Sequence, residues 1–278
     1  MNKKQTINRL GVFDSGVGGL TVLNELITLS IPEIIYFGDT LNLPYGQKTA
    51  PHIKQLSLAA VNFLLTQKVD AIVIACHTAS AIAFEHIISQ HPTLFLTGVV
   101  QCVINDAIAA TKNKKIGVIG TQATIASDVH RKKILEAAPE CSVFTQACPA
   151  LVPLIETGHP NKKQLRDALE MYLTPLLNEG CDSIIIGCTH YELIKEEIYS
   201  FTGPEVALIS APHGCTQEIK RKIITSSTED TTSPSSLSYF VSGDPQAFKN
   251  NAFELMKLTI EPVQSKYPDV LTLHQEYR

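Results

Sequence analysis

Asp70-Ala-Ile-Val-Ile-Ala-Cys76 and Asp182-Ser-Ile-Ile-Ile-Gly-Cys188 align without a gap, 112 residues apart. Each is an acidic residue, a run apolar on both faces, and a terminal cysteine, which is the pattern of a strand buried in a parallel sheet. A second pair, Leu10-Gly-Val-Phe-Asp-Ser15 and Ile116-Gly-Val-Ile-Gly-Thr121, repeats at 106 residues. Two pairs recurring at nearly one distance point to a duplicated α/β half. The alternative is chance likeness between Val/Ile-rich strands; the matching Asp and Cys at the ends of one pair weigh against it.

Further strands are expected at Ile34-Ile-Tyr-Phe37, Leu94-Phe-Leu-Thr-Gly-Val-Val100, Val206-Ala-Leu-Ile209 and Tyr239-Phe-Val241. Helical periods lie between them: Ile53, Leu56, Ala60, Phe63 and Leu64 share one face, as do Leu165, Leu169, Tyr172 and Leu176. Alternating strands and helices predict an α/β fold with largely parallel sheets. The polar stretch Thr225 to Ser236 reads as a surface loop.

The 278 residues suit about two domains. Lys plus Arg number 23 against 27 Asp plus Glu, for a net charge of −4, and Trp is absent. Neither charge nor aromatic content favours nucleic acid or an anionic membrane as partner. Met1-Asn-Lys-Lys-Gln5 is followed by no apolar run of signal-peptide length, and no apolar stretch approaches the roughly 18 residues needed to span a bilayer. The seven cysteines include no Cys-x-x-Cys spacing, so the expectation is a cytoplasmic protein with reduced thiols.

In an open parallel sheet, ligands bind outside the carboxyl ends of the strands. Cys76 and Cys188 each close such a strand, and hydroxyl and imidazole residues follow in Cys76-His77-Thr78 and Cys188-Thr189-His190. The other five cysteines read as small buried hydrophobes. Two opposed thiols suit racemisation, which removes a proton from one face of a carbon and returns one to the other. Asp14-Ser-Gly-Val-Gly-Gly19 opens a helix and reads equally as a structural turn or an anion-binding loop; it fails the dinucleotide fingerprint because Thr21 stands at the last glycine position. Pro44-Tyr45-Gly46 is likewise a turn or a ligand contact. No zinc spacing is present, so no metal is expected. His52, His91, His130, His159 and His213 read as surface or capping histidines, and Glu156 as a solvated helix-end carboxylate.

Taken together, Val12-Phe-Asp-Ser-Gly-Val-Gly-Gly-Leu-Thr-Val22, Tyr36-Phe-Gly-Asp-Thr40, Pro44-Tyr-Gly46, Ala75-Cys-His-Thr-Ala-Ser-Ala81, Ile119-Gly-Thr121, Gly187-Cys-Thr-His-Tyr191 and Tyr239-Phe-Val-Ser-Gly-Asp-Pro-Gln-Ala-Phe248 resemble the glutamate racemases of the aspartate/glutamate racemase family over nearly the whole chain. The resemblance implies two flavodoxin-like, doubly wound domains related by pseudo-symmetry, with the active site between them. Residues 1–98 plus 210–278 would form the first domain and 99–209 the second. It also implies a cofactor-independent isomerase that supplies D-glutamate for peptidoglycan, with no cofactor and a homodimeric state. Cys76 would exchange the proton of D-glutamate and Cys188 that of L-glutamate, assisted by Asp14 and His190. Ser15, Tyr45, Gly46, Thr78 and Thr189 would hold the substrate, with His77 also at the binding site.

The chain departs from the family pattern where His77 replaces the usual Asn; a charged His77 would alter substrate fit and pH profile. Gln101-Cys102 replaces a usual Glu-Pro, and Ser210-Ala211 a usual Asp-Ser. Competing readings are racemisation of another acidic amino acid such as aspartate, a racemase-like binding protein without turnover, and a metal-dependent hydrolase using Cys and His.

Overall fold

Runs of Val, Ile and Phe with no polar face must be covered on both sides, and here they build two parallel sheets flanked by helices. The computed structural model describes residues 5–158, 160–224, 234 and 236–260. In chain order the strands are β1 (Gln5–Thr6), β2 (Arg9–Asp14), β3 (Glu33–Gly38), β4 (Ala71–Ile74), β5 (Phe95–Gly98), β6 (Lys115–Gly120), β7 (Ser142–Ala147), β8 (Ser183–Gly187), β9 (Ala207–Ile209), β10 (Ile223–Ile224) and β11 (Ser236–Val241).

The first sheet has the order β11-β3-β2-β4-β5 and the second β7-β6-β8-β9, while β1 and β10 form a two-stranded sheet among the described residues. All these pairings are parallel. Counting strands in chain order within each sheet, both share the sequence second, first, third, fourth; β11 adds to the outer side of β3. The repeated segments also pair in one register. Leu10 stands opposite Ala71 and Phe13 opposite Ile74, just as Ile116 stands opposite Ser183 and Ile119 opposite Ile186. Duplication therefore extends from sequence to hydrogen-bond register.

Two repeated residues have the same structural job in each half. Asp70 Oδ2 accepts the Asn8 and Arg9 amides at 2.8 and 2.9 Å, and Asp182 Oδ2 accepts those of Lys112 and Asn113 at the same distances. Each carboxylate thus fixes the chain just before or at the start of the neighbouring central strand. A Cβ on Gly11 would lie 3.1 Å from Leu64, and one on Gly117 3.2 Å from Leu176. The absent side chains let the helices Ala50–Thr66 and Lys162–Asn178 lie close on their sheets, and both helices bury the expected faces.

One core is continuous between the two sheets. It runs from Leu10, Val12, Ile34 and Tyr36 through Val103, Ala107, Cys215 and Ile219 to Ile116, Val118 and Ile185. Burial of each Val, Leu or Ile among them contributes about 1.5–3 kcal/mol, which ties the helices Val99–Ala110 and Ala211–Lys222 firmly to both halves. Among the described residues no helix is long and apolar enough to cross a membrane.

Three expectations need correction or remark. The run Leu94 to Val100 is a strand only over Phe95–Gly98; Val99 opens a helix, because Val99, Val100, Val103, Ile104 and Ala107 form a helical stripe. Strand β7 escaped notice because its Ser-Val-Phe-Thr-Gln-Ala is half polar, as an edge strand permits. The loop expected over Thr225–Ser236 lies outside the described residues except Pro234 and Ser236, the latter opening β11, and His159 also lies outside them.

Candidate active site

In each sheet the chain reverses its direction of winding between the first strand and the third, so a crevice opens outside the carboxyl ends of β2 and β4, and of β6 and β8. Those ends carry Ser15 and Cys76 in one half, Thr121 and Cys188 in the other. All four line a single cavity of about 120 Å³. Tyr45, Gly46, His77, Thr78, Thr189 and His190 line it as well. Of the residues singled out in the sequence, only Asp14 stands behind the wall. No Lys or Arg lines the cavity among the described residues.

Cys76 ends β4 and caps the helix His77–Gln90. Its Sγ lies 3.4 Å from Ser15 Oγ. Burial, then the Asp14 carboxylate, push this thiol up to about 12 against the lowering by Ser15 and the Ala79 amide. Cys76 is therefore a thiol at neutral pH. Cys188, 6% exposed like the 5% of Cys76, has a different neighbour: it is hydrogen-bonded to His190. Burial alone would lower His190, but that bond, Glu156 and the charges of Cys188 and Asp14 outweigh it and raise the ring to about 10. The two thiols thus occupy electrostatically unlike places, one beside a carboxylate and one beside an imidazolium.

Asp14 is fully buried. It accepts the Gly16 amide at 2.7 Å and the Thr189 hydroxyl at 3.2 Å. Burial raises its carboxyl, opposed by His190 and these donors. The glycine loop resolves as a packing device: a Cβ on Gly18 would stand 2.6 Å from Thr189 Oγ1 and 2.8 Å from His190 Nδ1. The loop seats the second half's Thr189-His190 against the first half, and of its residues only Ser15 reaches the cavity. Tyr45 is oriented from below by Asp39, whose Oδ2 accepts the phenol hydroxyl at 2.6 Å.

Four residues have a place at or beside the cavity that the sequence did not give them. Glu156 does end its helix, but its Oε1 lies 3.1 Å from His190 Nε2, off the line of the N–H, and it lines the cavity. His130 is buried rather than surface and stacks on His77. Cys148 is a buried thiol, as expected, yet it belongs to the cavity wall. Thr121 was missed, although the repeat gave the signal: it is the counterpart of Ser15. Its Oγ1 lies 3.0 Å from Thr78 Oγ1 and 2.9 Å from Thr124 Oγ1, joining the two halves through hydroxyls. Finally, burial and then His130 hold His77 well below the ordinary imidazole range, which disfavours the charged form that distinguishes His from Asn at this position. His52 and His213 are exposed, and His91 caps its helix. Among the described residues no group of three or more His, Cys, Asp or Glu is placed to hold a metal ion.

Comparison with known proteins agrees with this architecture. Residues 30–211 match the Asp/Glu/Hydantoin racemase family. Over 213 residues the chain is 40% identical to the glutamate racemase of Syntrophus aciditrophicus, covering 76% of this chain and 78% of that one. A glutamate racemase isoform from Bacillus anthracis superposes with a TM-score of 0.82 at 30% identity, over 93% of this chain and 97% of that one. The Francisella tularensis glutamate racemase, solved with D-glutamate, gives 0.82 at 29% identity over the same shares. The chain belongs to the Asp/Glu/Hydantoin racemase family.

Proposed function

We propose that the cavity interconverts L- and D-glutamate by two-base proton transfer between Cys76 and Cys188. The observation that carries this reading is that two thiols, each closing the equivalent strand of a repeated sheet, line one cavity. In the L to D direction the Cys188 thiolate, beside His190, takes the α-proton. The S–H bond of Cys76 breaks as its proton passes to the opposite face of the α-carbon, leaving the Cys76 thiolate. The D to L direction runs the same transfers in reverse, so Cys76 serves D-glutamate and Cys188 L-glutamate. Ser15, Tyr45, Gly46, His77, Thr78 and Thr189 bind the amino and carboxylate groups, while Asp14 and His190 assist the thiols.

No described Lys or Arg lines the wall, so no permanent cation competes with the substrate ammonium for the thiolate; the cation there is the titratable His190 beside Cys188. The domains divide at 98/99 and 209/210, where the chain passes between the sheets. The product D-glutamate serves peptidoglycan synthesis in the cytoplasm, and the working state is a homodimer. The test is L-glutamate with the purified protein in heavy water, with a chelator and no added cofactor. Optical activity and the α-proton should disappear together; a folded protein that leaves both intact refutes the reading.

A further inference from the structure

The rings of His77 and His130 stack with centroids 6.1 Å apart and planes 23° from parallel. His77 opens the helix His77–Gln90, and His130 lies in the first turn of the helix Val129–Ala137 in the other half. Both residues are 2% exposed, and among the described residues neither His77 nitrogen nor His130 Nε2 has a hydrogen-bond partner; these nitrogens are buried. His77 faces the cavity; His130 does not reach it. Lys133 and Glu85, 3.8 Å apart, tie the same two helices together further along.

Buried ring nitrogens without partners are costly unless a ligand meets them. A neutral imidazole offers one donor and one acceptor, and an amino acid brings carboxylate acceptors and ammonium donors. Burial holds His130 at about 4, so the two rings stack uncharged and do not repel. We propose that His130 is a positioning residue whose ring, stacked on His77, holds the His77 imidazole in the wall against which the amino-acid substrate binds. The assignment rests on the racemase reading for the identity of that substrate. It gives the departure from Asn at position 77 a structural partner in the opposite half.

Removing the stacked ring frees His77 to turn while leaving both thiols in place. His130→Ala should therefore raise KM for glutamate about three- to tenfold, the scale of one net hydrogen bond, with kcat within about twofold. His130→Phe, which restores a flat ring without nitrogens, should recover most of that loss. An unchanged KM in folded His130→Ala, or a rise that His130→Phe does not recover, overturns the proposal. Should His130→Ala not fold, nitrogen NMR of histidine-labelled wild type and His130→Phe decides it. The His77 ring signals should shift on adding D-glutamate in both proteins, and absence of a shift in either overturns it. Wild type that shows the shift but exchanges no α-proton would keep the positioning role and refute the racemase reading instead.

Discussion

The Nε2 of His190 lies 3.1 Å from Glu156 Oε1, and the same ring is hydrogen-bonded to Cys188. One imidazole thus couples a carboxylate at the cavity rim to a thiol on its floor, while Cys76 faces Ser15 and the Asp14 carboxylate. The two thiols therefore meet unlike charges, an imidazolium beside Cys188 and a carboxylate near Cys76.

Replacing Glu156 by Gln keeps the shape but removes a charge that favours the His190 imidazolium. His190 should then lose its proton at lower pH, and the alkaline limb of kcat/KM should move down. The rim carboxylate is partly exposed and screened, so the loss at pH 8 to 9 should be about three- to tenfold. A pH profile of Glu156→Gln checks this; an alkaline limb that stays in place contradicts the coupling.

Alkaline stability follows from the same shifts. His190 is raised to about 10 and Cys76 to about 12, above ordinary values of about 6.5 and 8.5. Both groups hold protons in the folded state that the unfolded chain releases earlier. Their stabilising effect is complete below the unfolded values and is lost as pH rises toward the folded ones. The melting temperature should fall between pH 8 and 10. Cys76→Ser, which cannot ionise in that range, should fall less steeply, as calorimetry at pH 7, 9 and 10 would show.

A methyl at Gly18 would meet Thr189 Oγ1 at 2.6 Å and His190 Nδ1 at 2.8 Å, so Gly18→Ala must displace the segment carrying Cys188. Misplacement of a catalytic group by about 1 Å costs on the order of 100-fold. Racemisation should drop by one to two orders of magnitude while circular dichroism still reports the folded sheets. Wild-type kinetics in this variant would show that the loop is not what seats Thr189-His190.

Much of this arrangement was legible beforehand because duplication writes itself into the chain. The Asp70–Cys76 and Asp182–Cys188 segments marked the third strand of each sheet, and their terminal cysteines marked the cleft. Thr121 was legible too, as the counterpart of Ser15, but a lone hydroxyl gives no signal unless the repeat is followed residue by residue. Glu156 and His130 could not be read from local pattern. Their roles depend on contacts with His190 and His77, 34 and 53 residues away in sequence, the first made by folding within the second half and the second by packing of the two halves. Strand β7 was hidden by its polar edge, and the end of β5 by valines that serve a helix as readily as a strand.

The central claim, one thiol for each face of the α-carbon, is tested most directly by Cys76→Ala and Cys188→Ala, each given L-glutamate and D-glutamate in heavy water while optical rotation is followed. Neither variant should interconvert the enantiomers in either direction, because each lacks the group that serves one face. Near-normal racemisation by either variant in both directions would contradict the two-thiol account.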